Sequence, residues 1–500
     1  MIHRTASRNA ILSRRRAALP LIVGLALLTA GCEPARHDGP VAVDVIGTPA
    51  QFAKPLKDSR SPAAKLVLAA TGQGLLSFDT GGEVVGALAE SWIVEDGGQS
   101  YIFRLRRTHW ANGEPVKAEA VADLLKARLR ANAPSLGGLA PQVRAMTERV
   151  IEIRLDTALP AFMQLLAQPQ FAIVAADGVG SGPYRAVAED DGIALTPLIA
   201  TPGDEDTATP PPAPAIDRRQ LRASSAALAL VRFRRGLTDL VLGGRFQHLP
   251  LLSVSDVDPR TLRVDPAWGL FGLAVTGSSD FLADVNVREA LSRVIDRDAL
   301  GKSFHLTGWR SAVTPVPAAL DLGRAPTQPV WAEGDGENRI AIARQSVARW
   351  VAAHGEPPVL RVALPEGPGA TLLFRRLAAD FSRLGVRIDR VAMDERADLT
   401  LIDEVAAFDS ALWYLARIDC PMKISCDTPA SALLETARTA VTAEARANAM
   451  AEAERRIVLH GGYIPLGQPV RWALASRRLT GFALSARGIH PLNRLIALPN

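Results

Sequence analysis

The sequence predicts an α/β protein of two or three domains. Three observations carry that prediction. First, strand-like and helical segments alternate from Val359 to Ala416: Val359–Leu364 (strand), Ala370–Leu384 (helix), then Val386–Val391, Leu399–Ile402 and Ala411–Ala416 (strands). Such alternation builds sheets flanked by helices. Second, a strand–turn–strand–turn–helix unit is legible between Ala87 and Leu129. Third, an export segment accounts for the first residues, and roughly 450 residues remain beyond it, enough for more than one core.

The unit at 87–129 is the clearest local reading. Strand-like Glu90–Val94 and Tyr101–Leu105 flank Glu95-Asp96-Gly97-Gly98-Gln99. Asp-Gly-Gly supplies the positive-φ positions of a tight hairpin. Tyr101, Phe103 and Leu105 alternate with Ile102, Arg104 and Arg106, so one strand face is buried. Asn112-Gly113 turns the chain again. Val121, Leu124, Leu125 and Leu129 then share one helix face.

Residues 1–31 read as a signal peptide. Arg4, Arg8, Arg14, Arg15 and Arg16 form its basic region, and Ala17 to Ala30 is apolar. That run is shorter than the roughly 20 residues that span a bilayer. Leu28-Thr29-Ala30-Gly31-Cys32 resembles a bacterial lipobox, with Cys32 the lipidated residue and a lipid-anchored tether over 32–45. Ser13-Arg14-Arg15 half-matches a twin-arginine signal, so general secretory and twin-arginine export both stay open. Removing the five signal arginines leaves 52 basic against 52 acidic residues. The mature chain is formally neutral, and net charge gives no reason to expect a nucleic-acid partner. Cys420 and Cys426, six apart, either pair as a disulfide in an exported chain or stay as two free or metal-binding thiols; the pairing is the expectation.

Ala87-Leu88-Ala89-Glu90-Ser91-Trp92, Asp96-Gly97, Tyr101-x-Phe103-x-Leu105-Arg106 and Trp110-x-x-Gly113-x-Pro115-Val116-x-Ala118-Glu119-x-Val121 together resemble one family. It is the peptide/nickel class (family 5) of extracellular solute-binding proteins of ABC transporters. Gly180-Ser181-Gly182-Pro183-Tyr184 resembles its G-T-G-P-Y. Val287-Arg288-Glu289-Ala290-Leu291 with Ile295-Asp296-Arg297 resembles its V-R-Q-A-L…I-D-R, and Tyr463-Ile464-Pro465-Leu466 its P-Y-I-P-L. The resemblance implies a two-lobe periplasmic-binding-protein fold, type II-like, enlarged with an extra subdomain, with the ligand cleft between the lobes. It places lobe I at 46–258 plus 470–500, with the extra subdomain at about 87–180, and lobe II at 259–469.

The same resemblance nominates ligand-binding residues. Gln73, Gly74 and Leu75 stand where relatives have an acidic–Gly–Leu run facing the cleft, and Thr276 where relatives often have Asn. In Leu412-Trp413-Tyr414-Leu415-Ala416-Arg417-Ile418-Asp419-Cys420-Pro421, peptide-binding relatives carry a W-x-A-D-Y-x-D-P pattern whose first Asp pairs with the ligand's amino end. Here that place is Arg417. A guanidinium repels an ammonium and grips a carboxylate. Either the solute is anionic or blocked, or Asp419 takes the role by a shift of register, or Arg417 faces solvent. Trp413 and Tyr414 alternate on an expected strand, so at most one faces the cleft.

The function implied is capture of a peptide, peptide-like or anionic solute in the periplasm and delivery to an ABC permease, by a monomer tethered to the membrane through its lipid. An envelope receptor or chaperone on the same fold is the alternative. Catalysis finds no support: no His-Glu-x-x-His or other metal spacing, no dinucleotide fingerprint after a strand, and no expected cofactor. Val179 occupies the place where a serine elbow ending in Ser181 needs Gly. Asp296 occupies the first-glycine place of a phosphate loop ending Gly301-Lys302-Ser303.

Overall fold

The computed structural model describes residues 39–56, 61–79, 81–136, 140–175, 178–198, 213–333 and 336–498. The expected signal peptide, Cys32 and most of the Pro-rich 201–215 stretch lie outside the described residues.

Two sheets organise two lobes. The first has seven strands in the order Leu262–Val264, Arg471–Ala475, Leu240–Arg245, Val41–Ile46, Arg219–Ser224, Gly192–Pro197, Tyr184–Glu189. Its middle strand, Val41–Ile46, runs parallel to both neighbours. The second has five strands in the order Ile388–Val391, Leu360–Ala363, Leu399–Val405, Gly269–Val275, Tyr463–Gly467. A four-stranded antiparallel sheet (Ala89–Glu95, Ser100–Leu105, Val150–Arg154, Gln142–Thr147) is the extra subdomain, packed against helix Ala118–Ala131. Its hairpin turns through Asp96, Gly97 and Gly98, all at positive φ.

Several expectations need correction. The tether does not reach residue 45, because Val41–Ile46 is the central strand. Val41, Val43 and Val45 are buried on one face. On the other, the buried Asp44 accepts hydrogen bonds from Ser224 Oγ (2.7 Å), Arg232 Nη1 (3.0 Å) and Thr238 Oγ1. A strand covered on both faces tolerates a carboxylate only when it is satisfied in this way. After that strand, Pro62–Thr71 is a helix, begun by Ser61 Oγ accepting the Ala64 N–H and by Pro62 at the first turn. The expected strand at Ala411–Ala416 is helix Ala411–Arg417. The lobe boundary also moves, since Leu262–Val264 belongs to the first sheet and Gly269–Val275 to the second. The chain therefore crosses at 265–268, not at 258, and returns at 468–470.

One apolar core joins the lobes, running from Val241, Phe246 and Trp472 into Phe271, Leu273 and Leu399. At Gly180 and Gly182 the backbone passes so close to Thr71 that a Cβ would sit 2.1 and 2.4 Å from Thr71 backbone atoms. Only glycine fits there.

Candidate functional site

A cavity of about 560 Å³ opens between the lobes. One wall is the end of strand Leu240–Arg245. Gly243 takes φ +82° and the register slips between Val241 and Gly244. This bulge bends the strand and brings Arg245 to the cavity. A Cβ on Gly244 would meet the Trp472 ring at 2.2 Å, and Trp472 Nε1 donates to the Arg245 carbonyl at 3.0 Å. The facing wall is the end of strand Leu399–Val405 with the Ala406–Phe408 turn, followed by helix Ala411–Arg417. Ser410 caps that helix through Leu412 N–H, and Asp321 accepts from Ser410 Oγ (2.8 Å) and Ala411 N–H (2.6 Å). The rigid helix sets Trp413 and Arg417 in the wall.

Charges crowd this space. Arg471 donates to Asp403 Oδ1 at 2.7 Å and to the Asp403 carbonyl at 3.0 Å, tying the returning strand to the second lobe. Arg245 lies 4.0 Å from Asp403, and Arg417 lies 3.5 Å from Glu404 with its guanidinium 5.6 Å from the Trp413 ring. Burial, then the Arg471 charge, push the Arg245 pKa down against the pull of Asp403. Asp265 accepts from Ser485 N–H at 2.9 Å and sits 3.1 Å from His490 Nε2, beside the chain crossing.

Side chains from the first-lobe side hold the Ala406–Asp409 turn of the second. Arg487 donates to the Ala406 carbonyl (3.2 Å) and pairs with Asp409. Gln168 Nε2 donates to the Ala407 carbonyl, and Asp409 N–H donates to Gln164 Oε1 at 2.8 Å. Some polar atoms here have no hydrogen-bond partner among the described residues: Asp403 Oδ2, Gln170 Oε1, Gln247 Oε1, Trp413 Nε1 and Arg487 Nε. All five residues line the cavity.

The structure brings two of the eight nominated ligand residues to this cavity, Trp413 and Arg417. Tyr414 is 1% exposed and turned into the core, where burial raises its pKa. Asp419 is buried. Its Oδ1 accepts the Cys420 N–H at 2.7 Å, so it caps the turn after the helix and is no substitute for Arg417. Gln73 is bridged to Ile173, Gly74 accepts the Leu88 N–H at 3.0 Å, and Leu75 is core; none of the three lines the cavity. Thr276 follows the far end of strand Gly269–Val275, bonded to the Ala397 carbonyl (2.9 Å) and Thr400 Oγ1 (3.0 Å). Glu404 pairs with Leu270 at the strand's other end, about 20 Å away. Cys420 and Cys426 are joined as a disulfide. Sequence reasoning missed Arg245, Asp403, Glu404 and Arg487. The one local signal was the Gly243-Gly244 pair inside an apolar strand, which marks a bulge.

The family model for bacterial extracellular solute-binding proteins, family 5 (middle), matches residues 83–349, more than half of the chain. The chain belongs to this family. As a family 5 solute-binding protein it shares the fold of solved relatives. The Escherichia coli murein tripeptide binding protein MppA superposes with a TM-score of 0.76 at 17% identity, covering 92% of this chain and 99% of that one. NikA from Brucella suis, in complex with Fe(III)-EDTA, superposes with a TM-score of 0.74 at 17% identity, covering 92% and 100%. Among curated relatives, the probable deoxycholate-binding periplasmic protein YgiS of Escherichia coli K12 is 31% identical over 137 residues. That stretch spans 23% of this chain and 25% of the relative.

Proposed function

We propose that this family 5 protein is the solute-capturing component of an ABC importer, taking a peptide or peptide-like solute in the periplasm and passing it to a permease in the inner membrane. The observation that carries this is the cavity of about 560 Å³ walled by both lobes. Its volume falls in the range of small-molecule sites. The named relatives are a murein tripeptide binding protein, one solved in complex with Fe(III)-EDTA and a probable deoxycholate-binding protein, so small solutes of peptide size suit it. Closing the lobes removes the solute from water and strengthens its polar contacts. Micromolar capture corresponds to about 8 kcal/mol net of the closure cost, tight enough to collect and loose enough to hand over. A monomer held near the membrane through a lipid on Cys32 serves that handover.

The test is mass spectrometry of whatever solute the natively exported protein carries, followed by uptake of that solute in cells with and without the gene. The proposal predicts one released small molecule per chain and uptake lost with the gene. Unchanged uptake would contradict delivery to a permease.

A further inference from the structure

We infer that the solute carries an oxyanion, a carboxylate or its chemical equivalent, which Arg245 and Arg417 grip from the two lobes by displacing Glu404. The inference rests on reading the cavity as a solute site and names the chemistry that site selects.

Four arginines line the cavity, and their partners sort them. Arg471 is engaged: it donates to Asp403 Oδ1, to the Asp403 carbonyl and to the Val470 carbonyl (2.9 Å). Arg487 is engaged by the Ala406 carbonyl and Asp409. Arg245 and Arg417 differ. Neither guanidinium makes a hydrogen bond to any described residue; each has only a carboxylate oxygen at 4.0 or 3.5 Å. Yet each is only 35% or 25% exposed. A guanidinium has five N–H donors, and no nitrogen of either arginine is among the fully buried atoms, so these donors stay open to the cavity.

The two also share an acidic neighbour. Arg245 feels the charges of both Asp403 and Glu404, and Arg417 contacts Glu404, so both arginines stand over the same strand end in the cavity lining. Trp413 adds a third donor there: its Nε1 is buried without a partner among the described residues, and its ring backs the Arg417 guanidinium at 5.6 Å. A wall that offers donors and positive charge fits an acceptor-rich, anionic group.

Glu404 is the group that gives way. It is 47% exposed and touches Arg417 through one contact of 3.5 Å. Such exposed pairs contribute little. A ligand carboxylate that takes two parallel N–H bonds from Arg417 outcompetes it.

The test measures binding of trialanine, N-acetyl-trialanine, trialanine amide and citrate by calorimetry and thermal shift, at up to 10 mM. It uses the full mature chain, E404Q and R417M. The expected result is that N-acetylation changes affinity by less than threefold, while amidation of the carboxyl end weakens it at least tenfold. E404Q should bind the carboxylate-bearing probes about threefold more tightly than wild type. R417M should erase the preference for carboxylate over amide. Glu404 is half-exposed, so E404Q keeps the inference testable even if R417M fails to fold. The inference is overturned if the amide binds as well as the acid, if E404Q leaves all affinities unchanged, or if no probe binds E404Q. Failure of the broader reading looks different. A neutral solute carried out of the cell by the protein sinks the oxyanion and leaves solute binding standing. No carried solute and no probe binding sink both.

Discussion

His248 shows how closely a single residue is tied to the cavity wall. Its Nδ1 accepts the Arg245 N–H at 3.4 Å. Burial, then the neighbouring Arg245 charge, push its pKa down to about 4. The folded pKa lies below the unfolded value, so the neutral ring contributes stability that is complete above about pH 6.5 and is lost as the pH falls toward 4. Between pH 7 and pH 5 wild type should lose about 2 kcal/mol through this residue. His248→Gln should lose that much less over the same interval, read as urea midpoints at the two pH values. If the two proteins show the same pH slope, His248 is not buried as a neutral ring. At this scale the sequence was legible only where it broke a pattern. Arg417 stood out because an acidic residue is expected in its place. Thr276 was misplaced because its position on a strand says nothing about which end of the strand meets the cleft. Arg245 and Glu404 carried no signal of their own. They matter because two distant strands end at the same cavity.

Among the elements, helix Ala411–Arg417 and the disulfide loop behind it position the site. Seven residues fit a strand pattern and a helix pattern about equally well. The deciding contact is Asp321, which holds the helix start from 89 and 90 residues away, and no local reading could supply it. The Pro62–Thr71 helix was legible in principle, since Ser61-Pro62 is a cap followed by a first-turn proline. The Val41–Ile46 strand likewise showed its alternating valines, with Asp44 and the preceding Gly39-Pro40 disguising them as tether. Beyond the helix, Cys420–Cys426 closes a short loop, and Asp427 caps helix Thr428–Thr439 while pairing with Arg456 at 2.9 and 3.0 Å. With six residues of separation, the loop-entropy estimate for this bond is about 2 kcal/mol. The double substitution Cys420→Ser, Cys426→Ser should lower unfolding stability by that order. Thiol titration of the folded wild type should find neither cysteine reactive until a reductant is added. Two reactive thiols in untreated protein would show that the loop is open.

At the scale of the whole molecule, the described residues form two lobes joined by two chain crossings, at 265–268 and 468–470. Two crossings restrict relative motion to a bend better than a single linker does. Arg487, Gln164 and Gln168 fasten the Ala406–Asp409 turn across the cleft, immediately after the strand end that carries Asp403 and Glu404. A solute that engages those acids' arginine partners therefore acts beside the contacts that hold the lobes together. The architecture was legible in the sequence through motif order, because spaced scaffold residues specify a backbone. The cavity was legible only in part, because its lining is assembled from segments as distant in the chain as Val45 and His490. The most direct test is small-angle scattering of the mature chain, stripped of solute and then saturated with the solute it carries from the cell. The account predicts a smaller radius of gyration on saturation, with a higher melting temperature from the same sample. A radius and melting temperature that stay the same at saturating solute would contradict it.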